Sequence, residues 1–167
     1  CRACHLVEDG NHPDVHRIAP DGAGGQIRID QVRALVPALA LHSVEGGRRV
    51  AVVEQADRMN EDAQHALLKT LEEPPAGVTI VLCADDEDRL LPTIRSRVAR
   101  VRLGTVGVRD IEALLSARNL AEPPEAGRVA RAAAGRPGRA VAYARSPEAL
   151  AARAEAARTL IDLLSAP

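Results

Sequence analysis

"RVAVVEQADRMNEDAQHALLKTLEEPPAGVTIVLCA", residues 49–84, decides how this chain folds. Its first seven residues form a Val-rich apolar run, the pattern of a parallel strand covered on both faces. Asn60 then reads as a helix N-cap, with Glu61 and Asp62 placed to favour the helix dipole. Ala63, Ala66, Leu67 and Leu71 make an inner stripe, and Pro74-Pro75 stops the helix. A second buried strand, "VTIVLCA" at 78–84, follows. Strand, helix, strand is the grammar of a parallel sheet.

The same grammar extends outward. "DVHRIAP" at 14–20 reads as a short strand, followed by the glycine-rich loop "DGAGG" at 21–25. Asp30 is placed to cap a helix carrying Val32, Leu35, Val36 and Leu39 on one face, and Gly46-Gly47 ends that stretch. Beyond residue 84 come a polar "DDEDR" loop, a helical turn near Pro92 to Arg95, and a last predicted strand, "VARVRL" at 98–103. After Gly104 the pattern becomes helical, at roughly 107–117, 123–134 and 137–145. Ser146-Pro147-Glu148 opens a longer helix with Leu150, Ala154, Ala157, Ile161 and Leu164 expected inward. The predicted fold class is α/β, a partial parallel sheet with flanking helices over 1–104. A small helical domain at 105–146 and a trailing helix at 147–167 complete it. So few strands, and a start on the first Cys of a C-x-x-C, suggest a fragment of a larger protein.

The chain has 167 residues, 46% of them apolar, with a single Tyr and no Phe or Trp. Its core must therefore be aliphatic. A net charge of -1 provides no global attraction for nucleic acid. No apolar run approaches the ~18 residues of a membrane span, and no signal peptide is visible, so the expected location is cytoplasmic. Three cysteines, Cys1, Cys4 and Cys83, argue against a disulfide framework.

"CRACH" at 1–5 fits the haem-attachment spacing, but Met59 is the only methionine and aromatic residues are nearly absent. A thioredoxin-like site needs its C-x-x-C between a strand and a helix. Two thiolates at this spacing supply half of a tetrahedral zinc site, which His5, His12 or His16 can extend. The alternative is a pair of free thiols at a frayed end.

Glu54-Gln55 ends the first apolar run. Nucleotide-hydrolysing enzymes often end a strand in two acids there, one for the metal and one for the attacking water. A polar pair at a strand end is, by itself, ordinary surface. Its context is more specific. The Glu54-Gln55 strand, "ALLKTLEEPP" at 66–75, the next strand and "LLPTIRSRV" at 90–98 occur in an order that resembles the AAA+ clamp-loader subunits of bacterial DNA polymerase III. The resemblance runs from Cys1 to at least residue 145.

That resemblance implies roles for several residues. Glu54 and Gln55 correspond to the Walker B acids, with an amide in the second place that cannot take a proton from water. The polar sensor position falls near Ala84. Gly138 stands where the motor subunits carry a sensor arginine, with Arg139 one position away. No G-x-x-x-x-G-K-[ST] is present, and Lys69 lies mid-helix. Ser96-Arg97-Val98 keeps the serine and the arginine finger of the family's Ser-Arg-Cys turn. Such a finger acts in trans on a neighbour's γ-phosphate. The pattern resembles the non-hydrolysing, delta prime branch of the family. The alternative is an ATP-hydrolysing motor of the gamma/tau type with its P-loop upstream.

The resemblance further implies that Cys1 and Cys4 are the last two ligands of a four-cysteine zinc module occupying 1–16, followed by the family's "HPD", here at 12–14. The implied partners are other clamp-loader subunits, of gamma/tau and delta type, and through them the sliding clamp and primer-template DNA. ATP would be bound by the neighbouring subunits, and this chain would have no small-molecule substrate. Arg100 and Arg102 alternate with Ala99, Val101 and Leu103 and read as a solvated strand face.

Overall fold

The computed structural model describes residues 1–21, 25–45 and 47–165. Residues 22–24 of the glycine loop and Gly46 of the Gly46-Gly47 pair lie outside the described residues. The chain forms two compact units, Cys1–Arg100 and Val101–Pro167, each with its own core.

In the first unit three strands, β1 (Val15–Ile18), β2 (Arg49–Val53) and β3 (Val78–Leu82), lie parallel in the order β1-β2-β3. Ala51 pairs with His16 on one side and Ile80 on the other. Parallel neighbours need long crossovers. Helix α2 (Ile29–Ala40) makes the first and α3 (Glu61–Glu72) the second. Right-handed crossovers that step the same way across a sheet put both helices on one face. Val32, Leu35 and Leu39 of α2 and Ala63 and Leu67 of α3 therefore meet Ala51 and Val53 of β2 in one cluster. Burying each such Val or Leu side chain stabilises the fold by roughly 1.5–3 kcal/mol.

The same geometry corrects the expectation of strands covered on both faces. β2 alternates between buried and half-buried residues, while Thr79 and Val81 of β3 are exposed, Val81 by 41%. A run of valines looks alike in sequence whether one face or two are covered. Here both crossover helices lie on the Ala51 and Val53 side.

The cap of α3 forms as expected, with Asn60 Oδ1 accepting the Ala63 N–H at 2.9 Å. At α2 the expected cap is displaced, because Asp30 lies inside the first turn and Arg28 takes the N-cap position. Gln31 stabilises that end, accepting the Arg28 N–H and donating to the Ala19 carbonyl, both at 2.9 Å.

The predicted strand at 98–103 is absent among the described residues. Val98 packs against the core, but Val101 and Leu103 are 80% and 92% exposed. Alternation is necessary for a half-buried strand, but a ladder also needs a partner edge. Neither β1 nor β3 pairs with this segment.

The second unit contains α5 (Val108–Ala117), α6 (Glu125–Ala132), α7 (Pro137–Arg145) and α8 (Pro147–Ser165). Ile111 and Leu115 of α5 meet Ala126, Val129, Ala130, Ala133 and Ala140, an Ala-rich interior that lets short helices approach closely. The inward stripe expected of α8 is realised only at its start. Leu150 packs on this core, whereas Ala154, Ala157, Ile161 and Leu164 are exposed. Amphipathic spacing marks which face can be buried. It does not supply the surface that buries it.

Candidate functional site

Backbone pairing fixes the carboxyl end of β2. Glu54 N–H donates to Ile18 O, Cys83 N–H to Val53 O, and Ala56 N–H back to Cys83 O at 2.6 Å. Between them Gln55 takes a left-handed conformation, with φ 50° and ψ 52°, which few residues other than Gly, Asn and Asp adopt readily. This corner turns the chain at once into a 3-10 turn, Ala56–Arg58, and leaves both Glu54 and Gln55 exposed. Beside them Asp57 Oδ1 accepts the Asp85 N–H at 3.3 Å. Ala84, expected near the sensor position, is exposed just beyond β3.

Ser96 and Arg97 follow the one-turn helix α4 (Pro92–Arg95). Pro92 at its start has no N–H to leave unpaired, and Ile94 is fully buried as the anchor. Ser96 Oγ donates to Thr93 O at 3.0 Å. Arg97 folds back over the same turn, with Nη1 donating to Thr93 O at 2.9 Å and to Ser96 Oγ at 3.1 Å. Its Nη2 meets Glu72 Oε1, the last residue of α3, at 2.6 Å. Ser96 and Arg97 thus form one constellation. No hydrogen bond or ion pair joins them to Glu54, Gln55, Cys1 or Cys4 among the described residues. Arg100 pairs with Glu87 at 2.7 Å.

Three residues that sequence reasoning left unassigned hold this frame. Gln64, a buried residue of α3, donates to Met59 O and Arg89 O, both at 3.2 Å, and accepts the Leu91 N–H at 2.7 Å. It therefore ties the corner after Gln55 to the approach to α4. Asp14, 2% exposed, accepts from Ser43 Oγ and from the backbone of Val44 and Glu45 at 2.8–2.9 Å. The Glu45 and Val44 N–H groups, then Ser43 and Arg49, hold its carboxyl below the usual carboxylate range against the opposing effect of burial. Arg49 donates to the carbonyls of Ala38 and His42, closing the carboxyl end of α2. Its position as the first residue of a valine strand was the one available signal.

Cys1 is the N-cap residue of α1 (Arg2–Glu8) and Cys4 lies on its first turn, a helix that the sequence pattern did not reveal. Their sulfurs are 3.4 Å apart and both thiols are exposed. His12 Nδ1 accepts the Asp14 N–H at 3.1 Å and its Nε2 lies 3.7 Å from Glu45. Among the described residues no three or more Cys, His, Asp or Glu side chains gather around one point. The pair thus fits two corners of a zinc tetrahedron and does not by itself make a complete site. Nor is any helix among the described residues long and apolar enough to cross a membrane.

Comparison with known proteins places this geometry. The DNA polymerase III subunit delta′ of Pseudomonas aeruginosa is 45% identical over 97 residues, and that of Escherichia coli K12 is 41% identical. That stretch is 58% of this chain but only 30% and 29% of those proteins, so the match spans less than a third of their length. The tau subunit of E. coli K12 is 30% identical over 140 residues, 81% of this chain and 21% of its own. A DNA polymerase III gamma subunit-related protein of Thermotoga maritima superposes with a TM-score of 0.56 at 33% identity, over 65% of this chain and 38% of that one. The RuvB Holliday junction branch migration motor of the same organism superposes with a TM-score of 0.59 over 84% of this chain and 47% of its own. At 16% identity RuvB shares the fold alone, a partial AAA+-type parallel sheet followed by helices. The model of the family described as "DNA polymerase III, delta subunit" matches residues 1–106, well over half of the sequence, and the chain belongs to that family.

Proposed function

We propose that this chain is part of a non-catalytic, delta′-type clamp-loader subunit of the cytoplasmic DNA polymerase III, which presents Arg97 to an adjacent ATPase subunit during loading of the sliding clamp on primer-template DNA. The observation that carries the reading is the contrast between the two constellations. At the end of β2 the second acid is an amide, Gln55, which cannot assist water. After α4 the Ser96-Arg97 pair is retained, and it lies at the surface.

A guanidinium reaching a neighbour's γ-phosphate stabilises the charge that spreads over its oxygens in the transition state, an effect of about 10³ to 10⁵ in rate. Ser96 would set the turn that aims it. Glu54 would then be a remnant of metal binding, and ATP would reside on neighbouring subunits of gamma/tau type. Cys1 and Cys4 would provide two thiolates of a structural zinc site whose other ligands come from elsewhere in the parent protein. Zinc there would supply folding stability and no chemistry.

The test is the DNA- and clamp-stimulated ATPase of a loader reconstituted with the full-length parent protein. Arg97→Ala should lower turnover at least tenfold with assembly intact. Unchanged turnover would return Arg97 to a solvated surface. Metal analysis of the same protein should find one zinc that is lost with Cys1→Ser/Cys4→Ser.

The second reading is a gamma/tau-type motor. Its support is that the tau subunit of E. coli K12 aligns over 140 residues against 97 for delta′, and that the gamma-related structure superposes. Magnesium-dependent ATP hydrolysis by the parent protein alone, abolished by Glu54→Ala, would favour it.

A further inference from the structure

Arg97 does not project from the surface in this structure. Its Nη1 is held by Thr93 O and Ser96 Oγ, and its Nη2 by Glu72. We infer that Glu72 is the positioning residue of Arg97, keeping the guanidinium retracted against the end of α3 until a phosphate displaces the carboxylate. The inference rests on the proposed role of Arg97 as a finger acting on a neighbour.

The placement of Glu72 supports this role. It is the last residue of α3, where the helix dipole is negative and a carboxylate is disfavoured. No other cation pairs with it among the described residues, so Arg97 is what stabilises it there. The contact joins a terminal nitrogen of the guanidinium to a single carboxylate oxygen at 2.6 Å, which is also how a phosphate oxygen would engage that nitrogen. The two acceptors therefore compete for one donor face, and both cannot be accommodated without like-charge repulsion. A nucleotide phosphate with its higher charge prevails once it is delivered to within reach. The bond to Thr93 O comes from the other terminal nitrogen, so Arg97 can exchange Glu72 for a phosphate while its base stays anchored to the α4 turn.

The strength of the restraint is bounded by exposure. The side chains of Arg97 and Glu72 are 35% and 48% exposed, and ion pairs at such sites bias an equilibrium by roughly two- to fivefold. Glu72 is thus a light restraint, able to suppress idle turnover and easily overcome when DNA and clamp draw the subunits together.

The experiment uses the same reconstituted loader and measures ATPase with and without DNA and clamp, for Glu72→Gln, Glu72→Ala, Arg97→Ala and the double variant Glu72→Gln/Arg97→Ala. Both Glu72 variants should raise kcat in the absence of DNA and clamp about two- to fivefold. KM for ATP should stay unchanged, because the finger acts on the transition state, and stimulated turnover should move by less than about twofold. The double variant should match Arg97→Ala. If Arg97→Ala lowers turnover but the Glu72 variants leave idle kcat unchanged or reduce it, the restraint is overturned and the finger stands. If Arg97→Ala has no effect, the finger reading fails and the restraint fails with it. Circular dichroism of the variants excludes loss of fold, which an amide at an exposed helix end should not cause.

Discussion

Asp14 Oδ1 lies 3.9 Å from Arg49 Nε, too far for a hydrogen bond and close enough for strong attraction, with both side chains almost entirely buried. The aspartate gathers the start of β1 and the 43–45 loop, while the arginine closes the end of α2 from the first residue of β2. A folded-state carboxyl held below its ordinary value contributes stability above the unfolded pKa of about 3.9. That contribution disappears as the pH falls through the lower folded-state value. Denaturant midpoints measured from pH 7 down to pH 2 should therefore decline more steeply for the wild type than for Asp14→Asn. The variant should be the less stable protein at pH 7. Parallel profiles would show that Asp14 is not the titrating anchor.

Gln55 occupies a left-handed backbone conformation with a side chain that gains no hydrogen-bond partner among the described residues. Glycine meets that geometry without Cβ strain. Gln55→Gly should stabilise the first unit by about 1 kcal/mol in urea titration, even though it deletes an entire side chain. A loss of stability would mean that the amide makes a contact which outweighs the strain.

Gln64 satisfies two carbonyls and one N–H of the backbone from one buried amide. Gln64→Leu keeps the volume and orphans those groups, so it should cost on the order of 3 kcal/mol. Hydrogen exchange should quicken first at Leu91, whose N–H loses its acceptor. If exchange there is unchanged, other groups satisfy the segment.

In the second unit Gly135 has φ +77°, and a Cβ added there would lie 2.5 Å from Thr105 Cβ. Gly135→Ala should destabilise that unit by more than about 1 kcal/mol. Combining it with Thr105→Gly should restore the part due to the clash and leave the part due to φ. A thermal melt of each variant separates the two.

The elements around β2 were legible because valine runs, an asparagine cap and a double proline each have a local physical meaning. The Ser96-Arg97 pair was singled out only through resemblance, since an arginine among arginines carries no local signal. What could not be read were the polar residues turned inward. Asp14, Arg49 and Gln64 belong to types that ordinarily lie at the surface, and each is buried only because several backbone groups converge on it. The segment at 98–103 and the far end of α8 failed for the opposite reason. Their apolar spacing was correct, but whether a surface exists to receive Val101, Leu103 or Leu164 is a property of the surroundings.

The Gln64 bridge bears on how such a chain can change over time. One helix fixes both the turn that follows Gln55 and the approach to the turn that carries Arg97. The exposed side chain at position 55 takes no part in that bridge, so it can be exchanged without disturbing the other end of the scaffold. The converse does not hold. Drift in α3 would misalign both ends together, so this helix, lying between two exposed turns, is the part of the frame least free to vary.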